Sequence, residues 1–124
     1  MIRLLMSLTL LAGGVASRYD PGVFEHRAIP NHQRYGHLPS RLPVDRYIAL
    51  ADCSRVGDVV LVCYEGRCWN ALVADCAGIA DGGLAWMQTN GIAGEVDYET
   101  AVDYGCVGKH IQVFEIRYLT PEWR

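Results

Sequence analysis

Val59-Val60-Leu61-Val62-Cys63-Tyr64-Glu65-Gly66-Arg67-Cys68-Trp69-Asn70-Ala71-Leu72-Val73-Ala74 is the stretch on which the fold turns. Residues 58–63 carry a continuous β-branched and apolar run, and residues 68–74 return it. Between the runs, Tyr64-Glu65-Gly66-Arg67 has the length and the glycine of a hairpin tip. Cys63 and Cys68 flank that tip, where opposed side chains come close enough to bridge, so a Cys63–Cys68 disulfide is expected.

Outward from the hairpin, residues 47–51 read as a short apolar strand and residues 93–96 as another. Residues 110–118 close the domain with Ile111, Val113, Phe114 and Ile116. One helix fits: Asp97 caps residues 98–104 and Gly105 supplies a left-handed exit. Residues 18–46 hold Pro21, Pro30, Pro39 and Pro43 with His26, His32 and His37, and read as a long loop rather than a helix or central strand. Tyr19, Phe24 and Tyr35 are expected to pack that loop onto the sheet. Residues 78–83 read as a glycine-rich loop, and the tail beyond Tyr118, with Pro121 and Trp123, as an extension of the last strand.

The chain has 124 residues, 51% hydrophobic and 20% charged, with a formal net charge of −3. That supports one domain with one core and excludes a disordered chain. The acidic balance and the lack of a Lys/Arg cluster argue against nucleic acid. No phosphate-cradling glycine motif is present, and size and pattern exclude a Rossmann fold, a coiled coil or a multi-span membrane protein.

Five cysteines in so short a chain favour an oxidising compartment. Their spacing supplies no CxxC pair, so zinc is not expected, and the histidines of the loop set neither a helical face nor a tight chelate. Cys53 and Cys76, each following an aspartate (Asp52, Asp75), form the second expected disulfide. Cys106 is left over and reads as a small buried hydrophobe. Residues 1–16 combine Arg3, an apolar run and a small-residue exit, the pattern of a secretory signal; the run is far short of the about 20 residues of a membrane span. Gly14 to Tyr19 also read as the first strand of the domain, so the signal would end inside or against it. An extracytoplasmic, monomeric protein without a cofactor is expected.

Several segments together resemble the double-psi β-barrel superfamily of rare lipoprotein A, expansins, barwin and related endoglucanases. Gly14-Val15-Ala16-Ser17-Arg18-Tyr19 resembles its opening strand, G-x-A-S-x-Y. Residues 49–57 followed by Val59 to Val62 resemble its second and third strands. Ala71-Leu72-Val73-Ala74-Asp75 resembles the V-x-V-x-D strand end, and Val96-Asp97-Tyr98-Glu99-Thr100-Ala101 the start of the family's helix. The glycine-led residues 108–115 resemble the closing strand. The resemblance implies an all-β fold, a small six-stranded double-psi barrel over residues 14–118 with one short helix, a long N-terminal loop and a tail at 119–124.

The same resemblance suggests the chemistry. In expansins and inverting endoglucanases the Asp of H-F-D-L lies in the polysaccharide groove and is the general acid; here it falls on Asp97, with Glu95 in place of the His. As a bare residue type Asp97 is equally a helix N-cap, and because Asn is close to Asp in shape and also caps, Asp97→Asn is expected to leave the helix start nearly intact. Ser17-Arg18-Tyr19-Asp20 resembles the strand that carries the endoglucanases' general base. That names Asp20 as partner, one residue short of the pattern and equally an ordinary turn residue before Pro21. Glu25 is the alternative partner from the loop. An inverting hydrolase needs two such carboxyls about 6.5–9.5 Å apart. Tyr19, Trp86 and Tyr98 are candidate sugar platforms, because a pyranose presents an apolar face to an aromatic ring. Asp75 matches the family's strand-end Asp and is expected to orient backbone or substrate. The implied activity is cleavage of a β-1,4 glycan, peptidoglycan first, in the manner of a lytic transglycosylase or glycoside hydrolase. The rivals are a non-catalytic carbohydrate-binding or wall-loosening module and a disulfide-stapled protein-binding effector.

Overall fold

In the computed structural model the hairpin forms from β4 (Val59–Tyr64) and β5 (Arg67–Cys76). Both tip residues, Glu65 at φ 48° and Gly66 at φ 77°, are left-handed. That is the two-residue turn whose twist matches its flanking strands. Tyr64 pairs with Arg67, so Cys63 faces Cys68 across the strands with Cα atoms 4.1 Å apart, and the disulfide is formed.

The structure describes residues 2–3, 6–78, 80–118 and 122–123. Along the chain come β1 (Ile2–Arg3), β2 (Met6–Arg18), a π-helical turn (Phe24–Ala28) running into α1 (Ile29–Arg34), β3 (Tyr47–Leu50), a 3-10 turn (Cys53–Arg55), β4 and β5. Then follow α2 (Gly83–Thr89), β6 (Ile92–Val96), α3 (Tyr98–Tyr104), β7 (His110–Tyr118) and β8 (Glu122–Trp123). The protein is mostly sheet, with three short helices. Six strands hydrogen-bond into a closed ring in the order β2-β6-β3-β5-β4-β7. Two of its pairings, β2–β6 and β3–β5, are parallel. Closure leaves no long unpaired edge among these strands.

Alternation sorts the side chains. Ile48, Leu50, Val60, Val62, Trp69, Ala71, Val73, Val96, Ile111 and Val113 fill the inside of the ring. Ala49, Leu72 and Ala74 face outward and pack against Phe24, Ala28, Ile29 and Leu38. The segment expected to be a plain loop is therefore partly helical and builds a second apolar layer on the outside of the sheet. Pro30 sits in the first turn of α1, where its missing N–H costs nothing. Phe24 is sandwiched between Tyr19, stacked at 4.2 Å, and Tyr47 at 5.7 Å.

Other differences from the sequence reading are local. The opening strand starts well before Gly14: β2 begins at Met6, and Met6 to Val15 are laid antiparallel along β7. Ala16 is buried inside the ring, so processing after Ala16 would remove part of the core. The segment read as a glycine-rich loop ends in α2, which starts at Gly83 and carries Trp86; Ile79 lies outside the described residues. The tail does not extend β7, since Glu122–Trp123 pairs instead with Ile2–Arg3, and residues 119–121 and 124 lie outside the described residues. The helix is as expected, with Asp97 as N-cap and Gly105 left-handed at its end.

Cys53–Cys76 is also formed, and Cys106 is a free, buried thiol whose proton affinity is raised by that burial. Two disulfides accord with an oxidising, extracytoplasmic environment. No helix among the described residues is long and apolar enough to cross a membrane. The two bridges differ in what they constrain: Cys53–Cys76 spans 23 residues and Cys63–Cys68 only 5. On chain entropy, removing the longer bridge is expected to cost about 3.5 kcal/mol and the shorter about 2 kcal/mol. Urea unfolding of the two double-alanine variants checks the order, and an equal or reversed order would show that native contacts outweigh loop closure.

Candidate functional site

The site grows out of two breaks in strand regularity. Along β5, Trp69, Ala71 and Val73 point into the ring, so unbroken alternation would bury Asp75 among them. A register shift intervenes: Ile48 pairs with Val73, but Ala49 pairs with Asp75. The extra residue re-aims Asp75 outward, as bulges beside functional sites commonly do. A second shift, between Val15/Ala16 of β2, lies opposite Ile92 and Gly94 of β6. It turns Gly94 and Val96 inward and leaves Glu95 outward. Ala49 pairs with Glu95 on one side and Asp75 on the other. Two carboxyl groups therefore flank Ala49 on one row of the sheet, beneath the 19–44 segment.

Around Asp75 the polar groups are tightly engaged. The Tyr19 hydroxyl donates to Oδ2 at 2.7 Å, and His32 Nε2 lies 2.9 Å from Oδ1. His32 in turn meets His37, Nδ1 to Nδ1, at 3.0 Å. Burial, followed by the hydrogen bond to Asp75 and the negative charges of Asp75, Glu95 and Asp81, drives the Tyr19 phenol far above its ordinary range. Tyr19 stays a neutral donor. Glu95 is half-buried; loss of hydration, then the charge of Asp75, raises its carboxyl above the ordinary value.

The catalytic candidates named by resemblance gather next to this group. Asp20, Glu25, His26, Phe24, Asp97 and Tyr98 line one cleft of about 270 Å³. Their individual states differ. Asp20 has an 82% exposed side chain paired with Arg18 at 3.1 Å, and Glu25 is exposed. Tyr98 is 39% exposed, with one ring face under the Arg18 guanidinium at 5.2 Å. Trp86 is exposed on α2, away from the lining of that cleft.

Asp97 is only 3% exposed, and both its oxygens already accept from the chain. Oδ1 takes the Tyr47 N–H at 3.0 Å and the Thr100 hydroxyl, and Oδ2 takes the Thr100 N–H at 3.1 Å. It caps α3 and at the same time ties that helix to the start of β3. The expectation that Asn is a neutral replacement does not survive this geometry. An amide keeps one acceptor oxygen and turns an NH2 toward a donor. Asp97→Asn is expected to cost about 1–3 kcal/mol for the unpaired buried donor, more than an exposed cap would lose. Thermal melts of Asp97→Asn and Asp97→Ala check it; a melt for Asn equal to the wild type would show that α3 does not need the second oxygen.

Sequence reasoning passed over His32 and Glu95. Glu95 carried a signal, a single charge inside the apolar strand Ile92-Ala93-Gly94-Glu95-Val96. His32 carried none, since its partner is 43 residues away. Among the described residues no group of three or more His, Cys, Asp or Glu side chains is arranged to hold a metal ion. No protein-family model matches the chain, and neither does any curated protein or solved structure.

Proposed function

We propose that the six-stranded ring is a double-psi barrel and that the protein, secreted or periplasmic and monomeric, cleaves a β-1,4-linked cell-wall glycan, peptidoglycan first. The two parallel pairings within a closed ring, one on each side of the β6–β3 pair, support the barrel reading. One observation carries the functional reading: Asp75 and Glu95 stand on one row of the sheet in opposed environments. Glu95 is desolvated, so its carboxyl keeps a proton to higher pH than an exposed one, whereas the Asp75 carboxylate is met by Tyr19 and His32. Two carboxyls in unlike surroundings are how one site carries both acid and base. Two strand spacings separate them, roughly 10 Å at the backbone, and side chains leaning toward each other from there come within the carboxyl separation of an inverting glycosidase.

In this reading Glu95 is the general acid that protonates the leaving glycosidic oxygen, and Asp75 anchors the base side. Asp20, Glu25 and Tyr98 line the adjoining cleft and bind sugar hydroxyls. The acid role moves from Asp97 to the residue two positions earlier because both Asp97 oxygens are already engaged by Tyr47 and Thr100. The same engagement of Asp97 favours one rival, a binding module without turnover. Incubation with peptidoglycan, cellulose and chitin, followed by mass spectrometry of the soluble fraction, separates the two. Soluble oligosaccharides are expected. Binding to the pellet with no released product would leave the module.

A further inference from the structure

His37 and His32 meet Nδ1 to Nδ1 at 3.0 Å, and His32 Nε2 lies 2.9 Å from Asp75 Oδ1. A carboxylate only accepts, so His32 carries its proton on Nε2. Neutral His32 then has a bare Nδ1. The contact with His37 needs one proton, so His37 carries it on Nδ1 and its Nε2 is bare. Among the described residues that nitrogen has no hydrogen-bond partner. His37 is exposed, and with His32, Val56, Cys53 and Cys76 it lines a cavity of about 460 Å³. The titratable groups facing the two rings are Asp75 from β5 and, 6.4 Å from His37 between ring centres, Tyr35 at the end of α1. Tyr19 and Glu95 reach the pair only through Asp75.

We propose that Asp75, His32 and His37 form a proton relay whose outer end, Nε2 of His37, is a base for a hydroxyl group of a ligand seated in the cavity beside the Cys53–Cys76 disulfide. In naming that ligand as a sugar, the proposal rests on the glycan reading; the relay itself does not. The proton transfer balances within the three residues, and Glu95 serves the leaving group. The ligand's O–H bond breaks and its proton goes to His37 Nε2, while its electron pair forms the bond to the anomeric carbon as the glycosidic C–O bond breaks and the leaving oxygen takes the proton of Glu95. The proton on His37 Nδ1 crosses to His32 Nδ1. The positive charge ends on His32, against the Asp75 carboxylate, and His37 is left neutral as the other tautomer. Both rings cannot be protonated together while they keep this contact, because two N–H groups would face each other. While the contact lasts, the pair has room for one added proton, not two.

Long-range proton–nitrogen spectra of the full chain with labelled histidine read this directly. At high pH His32 should be the Nε2–H tautomer and His37 the less common Nδ1–H tautomer, and acidification short of unfolding should add one proton across the two rings. His37 as Nε2–H, or two rings that titrate independently to full imidazolium, would overturn the relay. His37→Asn keeps a donor toward His32 but removes the base. It should lower kcat on peptidoglycan on the order of a hundredfold with KM little changed and flatten the acid limb of the pH profile. Wild-type kcat and pH profile in that variant would overturn the base role. The expected tautomers together with no glycan cleavage by the wild type would uphold the relay and sink the glycan reading alone.

Discussion

Glu95→Gln is expected to lose glycan cleavage at least a hundredfold and, at neutral pH, to fold more stably than the wild type. The first effect is the loss of a positioned general acid. The second follows from the raised proton affinity of the folded-state carboxyl, set by burial and then by Asp75. A group whose folded pKa lies above its unfolded value of about 4.3 stabilises the fold below that value, and the contribution is lost as pH rises through the folded pKa. From about pH 4 upward the wild type progressively loses it. Glutamine, permanently neutral, keeps the uncharged state. The stability difference should shrink to nothing near pH 3–4, where the wild-type carboxyl is protonated in both states. Urea titrations at several pH values, run beside activity assays on the same samples, measure both. An active Glu95→Gln removes the acid role; a variant less stable than wild type at pH 7 removes the electrostatic account of Glu95.

Gly14→Ala is expected to destabilise the fold by about 3 kcal/mol, at the upper end of ordinary overpacking. A Cβ at Gly14 would fall on the carbonyl oxygen of Gly91, far inside van der Waals contact, and the residue sits at φ +155°. Neither partner can retreat, because Gly91 O accepts the Val15 N–H at 2.9 Å. β2 is also held by β7 on its other side, with Gly14 opposite Ile111. The neighbouring Gly13 is the internal control, since a Cβ there meets nothing within 4 Å. Circular-dichroism melts of Gly14→Ala and Gly13→Ala should differ by many degrees. Equal melts would mean that β2 and β6 can separate without cost, and the closed ring would not be the stable unit.

The opening strand illustrates how far the pattern of residues reaches. Gly14-Val15-Ala16-Ser17 was legible as a strand through its resemblance to the G-x-A-S-x-Y opening strand, yet its pairing with both β6 and β7 was not. The hairpin from Val59 to Cys76, the cap at Asp97, the exit at Gly105 and both disulfide pairings were legible as well. Each depends on local backbone geometry or on cysteines beside recognisable strand ends. The 18–46 segment was misread as loop throughout because four prolines outweighed the spacing of Phe24, Ala28 and Ile29, which buries one side of a helical turn. Proline at the start of a helix is no breaker.

The functional site divides in the same way. Composition, cysteine usage and strand alternation by themselves determined that this chain is a small, disulfide-bonded, sheet-dominated domain with acidic residues at its strand ends. Tertiary structure alone decided which of those acids meet. Alternation from Val73 would send Asp75 into the core, and only the shift in pairing against Ala49 turns it outward. Similarly, the shift between β2 and β6 places Glu95 on the same row. A bulge is a property of two strands in register, not of either one. His32 and Tyr19 reach Asp75 across 43 and 56 residues of sequence because Phe24 and Ile29 bury their own apolar surface against Ala49, Leu72 and Ala74. Hydrophobic docking of the covering segment thus assembled a polar cluster that no local spacing encodes, since burial acts on area and is indifferent to separation along the chain.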